Sequence, residues 1–182
     1  MFVFLFQNIL RVIYTILKLI ITFGHKIRHT MPINEVNTEN LSLLQENYQK
    51  FWTVLNRLST QHPDFSKILR VHPYSSIRSY QDYCFDGPYH IVLKISFSRH
   101  EVAVGAYFSN LFTFDEYQEK YSKQIEEAIG HRLVWSLHKT KASAYILENL
   151  QFDSERGWEE ACKWMLDYAI IVKKAFDRYI ER

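Results

Sequence analysis

Two neighbouring stretches of the chain alternate between apolar and polar residues, one ending near residue 97 and the other running from Glu101 to Phe108. Alternation with a period of two is the pattern of a β-strand that has one buried face. The apolar positions are Ile91, Leu93, Ile95 and Phe97 in the first stretch and Val102, Val104, Ala106 and Phe108 in the second. Only residues 98–100 separate the two stretches, so we predict an antiparallel hairpin from Tyr89 to Phe108.

Three further stretches show the three-and-four spacing of apolar residues that is typical of amphipathic helices. They run from Thr38 to about Ser59, from Thr113 to Ile129 and from about Gly157 to Ile180. The start of the last stretch is suited to capping by Asp153 or Ser154, because both side chains carry an oxygen that accepts hydrogen bonds from free backbone N–H groups.

The middle helix has both of its ends marked in the sequence. Thr113 and Glu116 have the spacing of a capping box, and Phe112 and Tyr117 stand at the positions of a hydrophobic staple. Gly130 suits the left-handed position that follows many helices. We therefore predict a helix that begins at Thr113 and ends at Gly130.

Period-two alternation returns twice more. Residues 132–138 alternate through Leu133, Trp135 and Leu137, and residues 142–146 form the second half of a second hairpin. A further strand is predicted from about Ile77 to Tyr83. The sequence thus predicts an α+β fold, in which a small antiparallel or mixed sheet of two hairpins plus one extra strand packs against three amphipathic helices.

The length of the helix between the two hairpins predicts at which ends of the sheet their turns lie. About sixteen helical residues span about 24 Å, close to the roughly 23 Å of a seven-residue strand. Such a helix returns the chain to the end of the sheet where the preceding strand began. We therefore expect the turns at Arg99 and Lys139 to lie at opposite ends of the sheet.

Residues 1–23 are almost wholly apolar, but Arg11 and Lys18 interrupt them. Each charge would cost roughly 2.5–3.5 kcal/mol near a bilayer centre, which disfavours a simple transmembrane span. The polar residues form one stripe on a helix, so an interfacial or membrane helix with Arg11 and Lys18 facing the headgroups is one interpretation. An over-extended gene start before Met31 is the other. We accordingly divide the chain into residues 1–30 and a single α+β domain at 31–182.

Composition and charge narrow the class of protein. The chain has 182 residues, a net charge of +2 and two cysteines without metal-ligand spacing, which indicates reduced thiols and a cytoplasmic protein. It would be peripheral to the inner membrane if residues 1–23 are genuine. The first 30 residues contain four basic residues and no acidic one, so the rest is slightly acidic overall. That balance disfavours binding to duplex nucleic acid through many phosphates.

The sequence contains no recognisable catalytic set. A restriction-type nuclease needs a carboxylate two residues before its lysine, but Val92 stands two residues before Lys94. The eight histidines form no spacing typical of a zinc site, and no nucleophile elbow or glycine-rich phosphate loop is present. We therefore predict no catalytic residue, no metal and no cofactor, which leans against an enzyme.

Basic residues around the hairpin turns are the remaining candidates for a binding site. The set is Arg99 and His100 on the first hairpin, and Arg132, His138, Lys139 and Lys141 around the second. Their side chains could contact phosphate while Trp135 or Tyr107 stacks on a base. Solvated turns are the alternative explanation of the same residues.

Three segments occur together in a familiar order: Ser98–Phe108, Lys141-Ala142-Ser143, and a Trp-containing final helix from Trp158 to Phe176. In this order they resemble the family called domain of unknown function 4268, over about residues 41–180. Ala103, Gly105 and Ala144 replace residues that are often charged in that family. The resemblance implies a prokaryotic accessory domain that works beside nuclease-like or defence proteins.

The sequence thus favours a non-enzymatic recognition or accessory module associated with nucleic-acid processing or defence. A protein-interaction adaptor, tethered to the inner membrane by residues 1–23, is the alternative, and an enzyme with an unrecognised site is the third. A protein partner is expected, nucleic acid and a membrane surface are further candidate partners, and the oligomeric state stays open.

Overall fold

Five antiparallel β-strands form one sheet in the order β1-β2-β3-β5-β4. A computed structural model of the chain describes residues 41–70, 75–85, 87–139, 141–151 and 154–180. Within these residues the strands are β1 Tyr80–Tyr83, β2 Tyr89–Ser96, β3 Glu101–Phe108, β4 Val134–His138 and β5 Lys141–Asn149. The α+β fold predicted from the sequence is confirmed, and the sheet is wholly antiparallel.

The described helices accompany one face of this sheet. They are α1 Leu43–Gln61, the short α2 Phe65–Ile68, α3 Leu111–Glu116, α4 Ser122–Ile129 and α5 Glu155–Asp177. A π-helical turn, Tyr117–Tyr121, joins α3 to α4. Helix α5 packs on β2 and β3, and α1 and α4 pack against α5. Residues from Leu41 onward form one compact unit.

The face of the sheet that packs on the helices, here called the covered face, carries the apolar residues predicted from the alternation. Its side chains come from all five strands and from alternate positions along each. The buried apolar ones are Tyr83, Tyr89, Ile91, Leu93, Ile95, Val102, Val104, Ala106, Phe108, Ala142, Ala144 and Ile146. Because these residues would otherwise expose large apolar areas to water, their burial is the main stabilising contribution to the fold.

The first hairpin forms as predicted, with one difference at its turn. Strand β2 ends at Ser96, and Phe97 begins a short 3₁₀ turn that extends to Arg99. His100 follows in the left-handed conformation, with φ of 49°. Phe97 therefore leaves the strand alternation, and its ring instead packs on those of Tyr48 and Trp158.

The predicted start of the middle helix is wrong. Helix α3 begins at Leu111, and its N-cap is Asn110, whose side-chain oxygen accepts from the N–H groups of Phe112 and Thr113. Asn is among the best N-cap residues. The helix is therefore capped at Asn110, three residues before the predicted cap at Thr113. Phe112 is 86% exposed and makes no staple. The predicted end is confirmed, because Gly130 is left-handed with φ of 77°.

The other helices differ from their predictions mainly in their bounds. Helix α1 begins at Leu43, where Ser42 and Gln45 form a capping box. Thr38, the predicted start, lies outside the described residues. Helix α5 is capped by Ser154, whose hydroxyl accepts from the N–H of Gly157, so one of the two predicted caps is confirmed.

The second hairpin and the extra strand are also present. Strands β4 and β5 pair from Val134 with Tyr145 to His138 with Lys141, and β1 pairs with β2 over a shorter length than the predicted strand. Glu101 lies opposite Asn149, while Phe108 lies opposite Ala142. The turns at Arg99 and Lys139 are therefore at opposite ends of the sheet, as predicted.

The predictions for residues 1–30, including Arg11 and Lys18 as membrane-facing residues and the start at Met31, fall outside the described residues. Within the described ranges, none of the helices combines the length and the apolar character that crossing a bilayer requires.

Candidate functional site

The face of the sheet opposite the helices, here called the open face, has a different composition from the covered one. Successive side chains of a strand point to opposite faces, so the register assigns the open-face residues directly. The three central rows across the sheet are His90, Tyr107, Ser143 and Ser136; then Asp82, Val92, Gly105, Tyr145 and Val134; then Tyr80, Lys94, Ala103 and Leu147. Aromatic and cationic residues therefore share this face.

Each tyrosine of the open face lies beside a basic group. The Lys94 Nζ is 5.0 Å from the centroid of the Tyr145 ring. The Arg78 Cζ is 5.9 Å from the Tyr80 ring centroid, and the centroids of His90 and Tyr107 are 5.2 Å apart. Rings that keep one side toward solvent and carry a cation nearby are suited to stacking against a flat, anionic ligand.

Small residues form the floor between these rings. Gly105 lies in the middle row, where an added Cβ would run into the carbonyl oxygen of Ala144 and lie 2.5 Å from the Cβ of Tyr145. Strands β3 and β5 thus approach each other at a point that only glycine permits. Ala103 extends the same floor, and Tyr107, Tyr145 and Lys94 surround it.

The depression above this floor is shallow. Its volume is about 10 Å³, roughly the room that one water molecule requires. Sites that enclose a small molecule are far larger. A ligand of this face would therefore lie across it rather than inside a pocket.

The charges of the open face act on one another. Partial burial lowers the pKa of Lys94, the carboxylate of Asp82 opposes that effect, and the positive charge of Lys141 lowers the pKa further. Lys94 and Lys141 are thus near enough to interact, although they lie on strands β2 and β5 with β3 between them. Two neighbouring cations attract an anion more strongly than either one does alone.

A cysteine and a histidine also meet at this face. Cys84 Sγ is 3.5 Å from His90 Nδ1, an arrangement that resembles a nucleophile and its base. Burial raises the pKa of the Cys84 thiol, and the charge of Asp82 raises it further. Because a reactive cysteine requires a lowered pKa, this pair does not provide an activated nucleophile.

The basic residues predicted from the sequence are divided among three places. Arg99 and His100 lie in the β2–β3 turn, where Arg99 is 4.0 Å from the carboxylate of Glu101. His138, Lys139 and Lys141 lie at the other end of the sheet, in and around the β4–β5 turn. Arg132 precedes β4 and belongs to neither group. Of the predicted residues, Lys141 is the one whose charge reaches the centre of the open face.

The two predicted stacking residues lie on different faces of the sheet. Tyr107 is on the open face, where its role in binding stays a prediction. Trp135 is on the covered face, with its ring centroid 5.6 Å from that of Phe114 and 6.2 Å from that of Phe176. Its indole N–H is buried, so the prediction that Trp135 stacks on a ligand is wrong.

Lys94, Tyr145 and the Arg78–Tyr80 pair were not predicted as site residues. Their signal is present in the sequence, because they occupy the positions between the apolar residues of the strands. Which of these positions become neighbours depends on the register across three strands, and the sequence does not state that register.

Within the described ranges, no group of three or more His, Cys, Asp or Glu side chains is placed to hold a metal ion. Comparisons with protein-family models, curated proteins and solved structures found no match to this chain. The resemblance to domain of unknown function 4268 therefore stays a prediction. The proposed function rests on the geometry of the open face.

Proposed function

We propose that this protein is a recognition module that binds single-stranded nucleic acid across the open face. The observation that carries the proposal is the meeting of aromatic rings and cations on one face of a sheet, with the Lys94 ammonium over the Tyr145 ring as its centre. Open antiparallel sheets that present aromatic side chains are a common platform for stacking unpaired bases.

The shape of the face favours a single strand over a duplex. Bases of a single strand are free to lie on aromatic rings, while those of a duplex are stacked on one another. The small residues Ala103 and Gly105 place no bulky side chain between Tyr107 and Tyr145, so a flat ring can lie across the face above β3. The small number of cations near it is also too low for the many phosphate contacts that duplex binding usually involves.

The distribution of charge supports the same face. The helical segment from Leu111 to Ile129 carries five acidic residues and two lysines, and it lies on the side of the covered face. The open face and its ends carry mainly basic residues, namely Arg78, Lys94, Lys139 and Lys141, against Asp82 and Glu101. This polarity would direct a polyanion to the open face.

The test is a binding titration with labelled single-stranded RNA, single-stranded DNA and duplex DNA, followed by fluorescence anisotropy at about 50 mM and about 200 mM salt. We expect the single strands to bind more tightly than the duplex. Replacing both Lys94 and Lys141 by Gln should weaken binding and reduce the salt slope by about 1.4, if each contacts one phosphate of a single strand.

The matched control replaces Lys120 and Lys123, two lysines of the acidic helical segment, by Gln. It removes the same charge from the opposite side of the sheet and should leave the affinity nearly unchanged. The proposal fails if the wild-type protein binds no strand at low salt, or if the open-face variant and the control weaken binding equally.

We also propose a second candidate, a protein-interaction adaptor, which is supported by exposed apolar residues. Phe112 is 86% exposed and Leu137, on the edge strand β4, is 55% exposed. Exposed apolar side chains that form a contiguous patch mark protein contacts, and the adaptor requires such a patch around one of these residues. A protein partner that survives nuclease treatment in a pull-down and is lost with Phe112→Ser would favour the adaptor over the nucleic-acid module.

A further inference from the structure

We infer that Tyr145 is a base-stacking position which the Lys94 ammonium group covers until a nucleotide binds, and that Lys94 then moves to the phosphate of that nucleotide. This inference rests on the proposed function and adds a defined subsite and an order of events to it. It concerns one residue pair, so it can fail while the proposed function stands.

The contact between Lys94 and Tyr145 bridges three strands. Lys94 belongs to β2 and Tyr145 to β5, and β3 runs between them. Tyr145 lies directly opposite Gly105 in the β3–β5 register, and Val92, two residues before Lys94, lies opposite Gly105 on the other side. With no side chain at Gly105, the lysine and the tyrosine meet above β3, with the ammonium 5.0 Å from the ring centroid.

The ammonium occupies the space that a stacked base would need. A base in contact with an aromatic ring lies about 3.5 Å from it, which is closer than the ammonium stands now. Base stacking on an aromatic side chain is stronger than a solvent-exposed cation–π contact. A base therefore displaces the lysine from the ring with a net gain.

The displaced ammonium has an anion-binding place within reach. Lys141 lies on the same strand and face as Tyr145, four residues before it, and its positive charge acts on Lys94. A phosphate beside the ring of Tyr145 would therefore be attracted by both cations. Asp82 also acts on Lys94 and disfavours a phosphate on its own side. Charge complementarity thus points to a nucleotide whose base lies on Tyr145 and whose phosphate lies toward Lys141.

The test compares two oligonucleotides of the same length, an oligothymidine and an abasic strand that has the phosphates but no bases. The wild-type protein should bind the oligothymidine more tightly. Tyr145→Leu should weaken oligothymidine binding by about 5- to 150-fold and leave abasic binding unchanged. Tyr145→Phe, which keeps the ring, should bind like the wild type and shows that the Leu effect comes from the ring.

The covering role of Lys94 predicts a change in the ratio of the two affinities. In Lys94→Ala the ring is uncovered, so the preference for oligothymidine over the abasic strand should rise by about 2- to 5-fold. The salt slope should fall by about 0.7, since one phosphate contact is lost. If Lys94 only contacted phosphate, Lys94→Ala would lower the salt slope but leave the ratio of the oligothymidine and abasic affinities unchanged.

These outcomes distinguish a failure of the proposed function from a failure of the Tyr145 stacking position alone. If the wild-type protein binds neither oligonucleotide, the proposed function and this inference both fail. If it binds both and Tyr145→Leu binds oligothymidine as the wild type does, the stacking position is wrong while the proposed function stands. An unchanged affinity ratio in Lys94→Ala overturns the covering role.

Discussion

The two faces of the sheet are built from the same strands, yet their aromatic residues have different neighbours. On the covered face, the Phe108 ring lies within 5.4–6.0 Å of those of Tyr89, Phe114, Tyr117 and Phe176. On the open face, the rings of Tyr80 and Tyr145 lie beside cations instead. An aromatic ring among other rings contributes to stability, whereas a ring beside a cation at the surface is available to a ligand.

Adjacent residues of one strand therefore have separate roles in this protein. Phe108 is fully buried, and Tyr107, its neighbour in the chain, is on the opposite face beside His90. Substitutions on the covered face should change the free energy of unfolding, and those of the open-face side chains should chiefly change binding. Gly105 is the exception, because β3 and β5 approach each other there. Three measurements of stability test this distinction.

The largest effect is expected from Phe108→Ala, which should lower the free energy of unfolding by about 4 kcal/mol, because it removes a large buried side chain and leaves a cavity. Its matched control is Tyr107→Ala, the next residue on the same strand, which should cost less than about 1 kcal/mol. Urea unfolding followed by circular dichroism measures both. Equal losses would mean that the open face is packed as tightly as the covered one.

Alkaline pH should destabilise the protein through the covered face. Burial raises the pKa of Tyr83, Tyr89 and Tyr117, that of Tyr117 to about 12, and the nearby Asp177 adds to the effect at Tyr89 and Tyr117. Above about pH 10 the unfolded chain loses these protons before the folded protein does, so stability falls as pH rises. Each tyrosine should cost about 1 kcal/mol by about pH 11, or about 3 kcal/mol together. Burial also raises the pKa of the Cys162 thiol, so this group adds its own loss over the same pH range.

Urea midpoints at about pH 9 and about pH 11 test this expectation. A Tyr83→Phe variant is the internal control, because it removes one of the three phenols and should reduce the loss between the two pH values by about 1 kcal/mol. Midpoints that do not move between these pH values would contradict the burial of the three hydroxyl groups.

The smallest effect should come from Gly105→Ala on the open face. A methyl group there meets the backbone of β5, so we expect a loss of about 2 kcal/mol from overpacking. The matched control, Ala103→Gly on the same strand and face, should cost only about 0.5–1 kcal/mol through chain entropy. If Gly105→Ala is tolerated as well as the control, the strands do not approach each other as described.

The covered face was predictable from the sequence because its signal is local. Each strand repeats its apolar residues with period two, so the core positions of the first hairpin could be named before their partners were known. The start of α3 was missed because two local signals compete there. Asn110 and Thr113 are both good N-cap residues, and the choice between them depends on how the chain leaves β3.

The open face was not predictable in the same way, because its arrangement is non-local. Lys94 and Tyr145 are 51 positions apart in the sequence and meet through the order and register of three strands. The same limit applies to the basic residues of the turns. Their placement at opposite ends followed from a length argument, but the isolation of Arg132 depends on where β4 begins.

The π-helical turn between α3 and α4 shows how the chain accommodates a spacing that an α-helix does not match. Tyr117, Tyr121, Ile125 and Ile129 are each four residues apart, and with 3.6 residues per turn such positions drift by about 40° at each step. The wider turn absorbs one additional residue. The rings of Tyr117 and Tyr121 thereby stack on those of Phe176, in α5, and of Tyr179, which follows α5.

The wide turn also changes how much chain this part of the helix holds. Its i→i+5 hydrogen-bonding pattern encloses one residue more than the i→i+4 pattern of an α-helix, and the two stacked pairs fix the place of that extra residue. Ile125 and Ile129 remain buried beyond it. The extra residue is thus accommodated inside the helical segment rather than in the loop before β4.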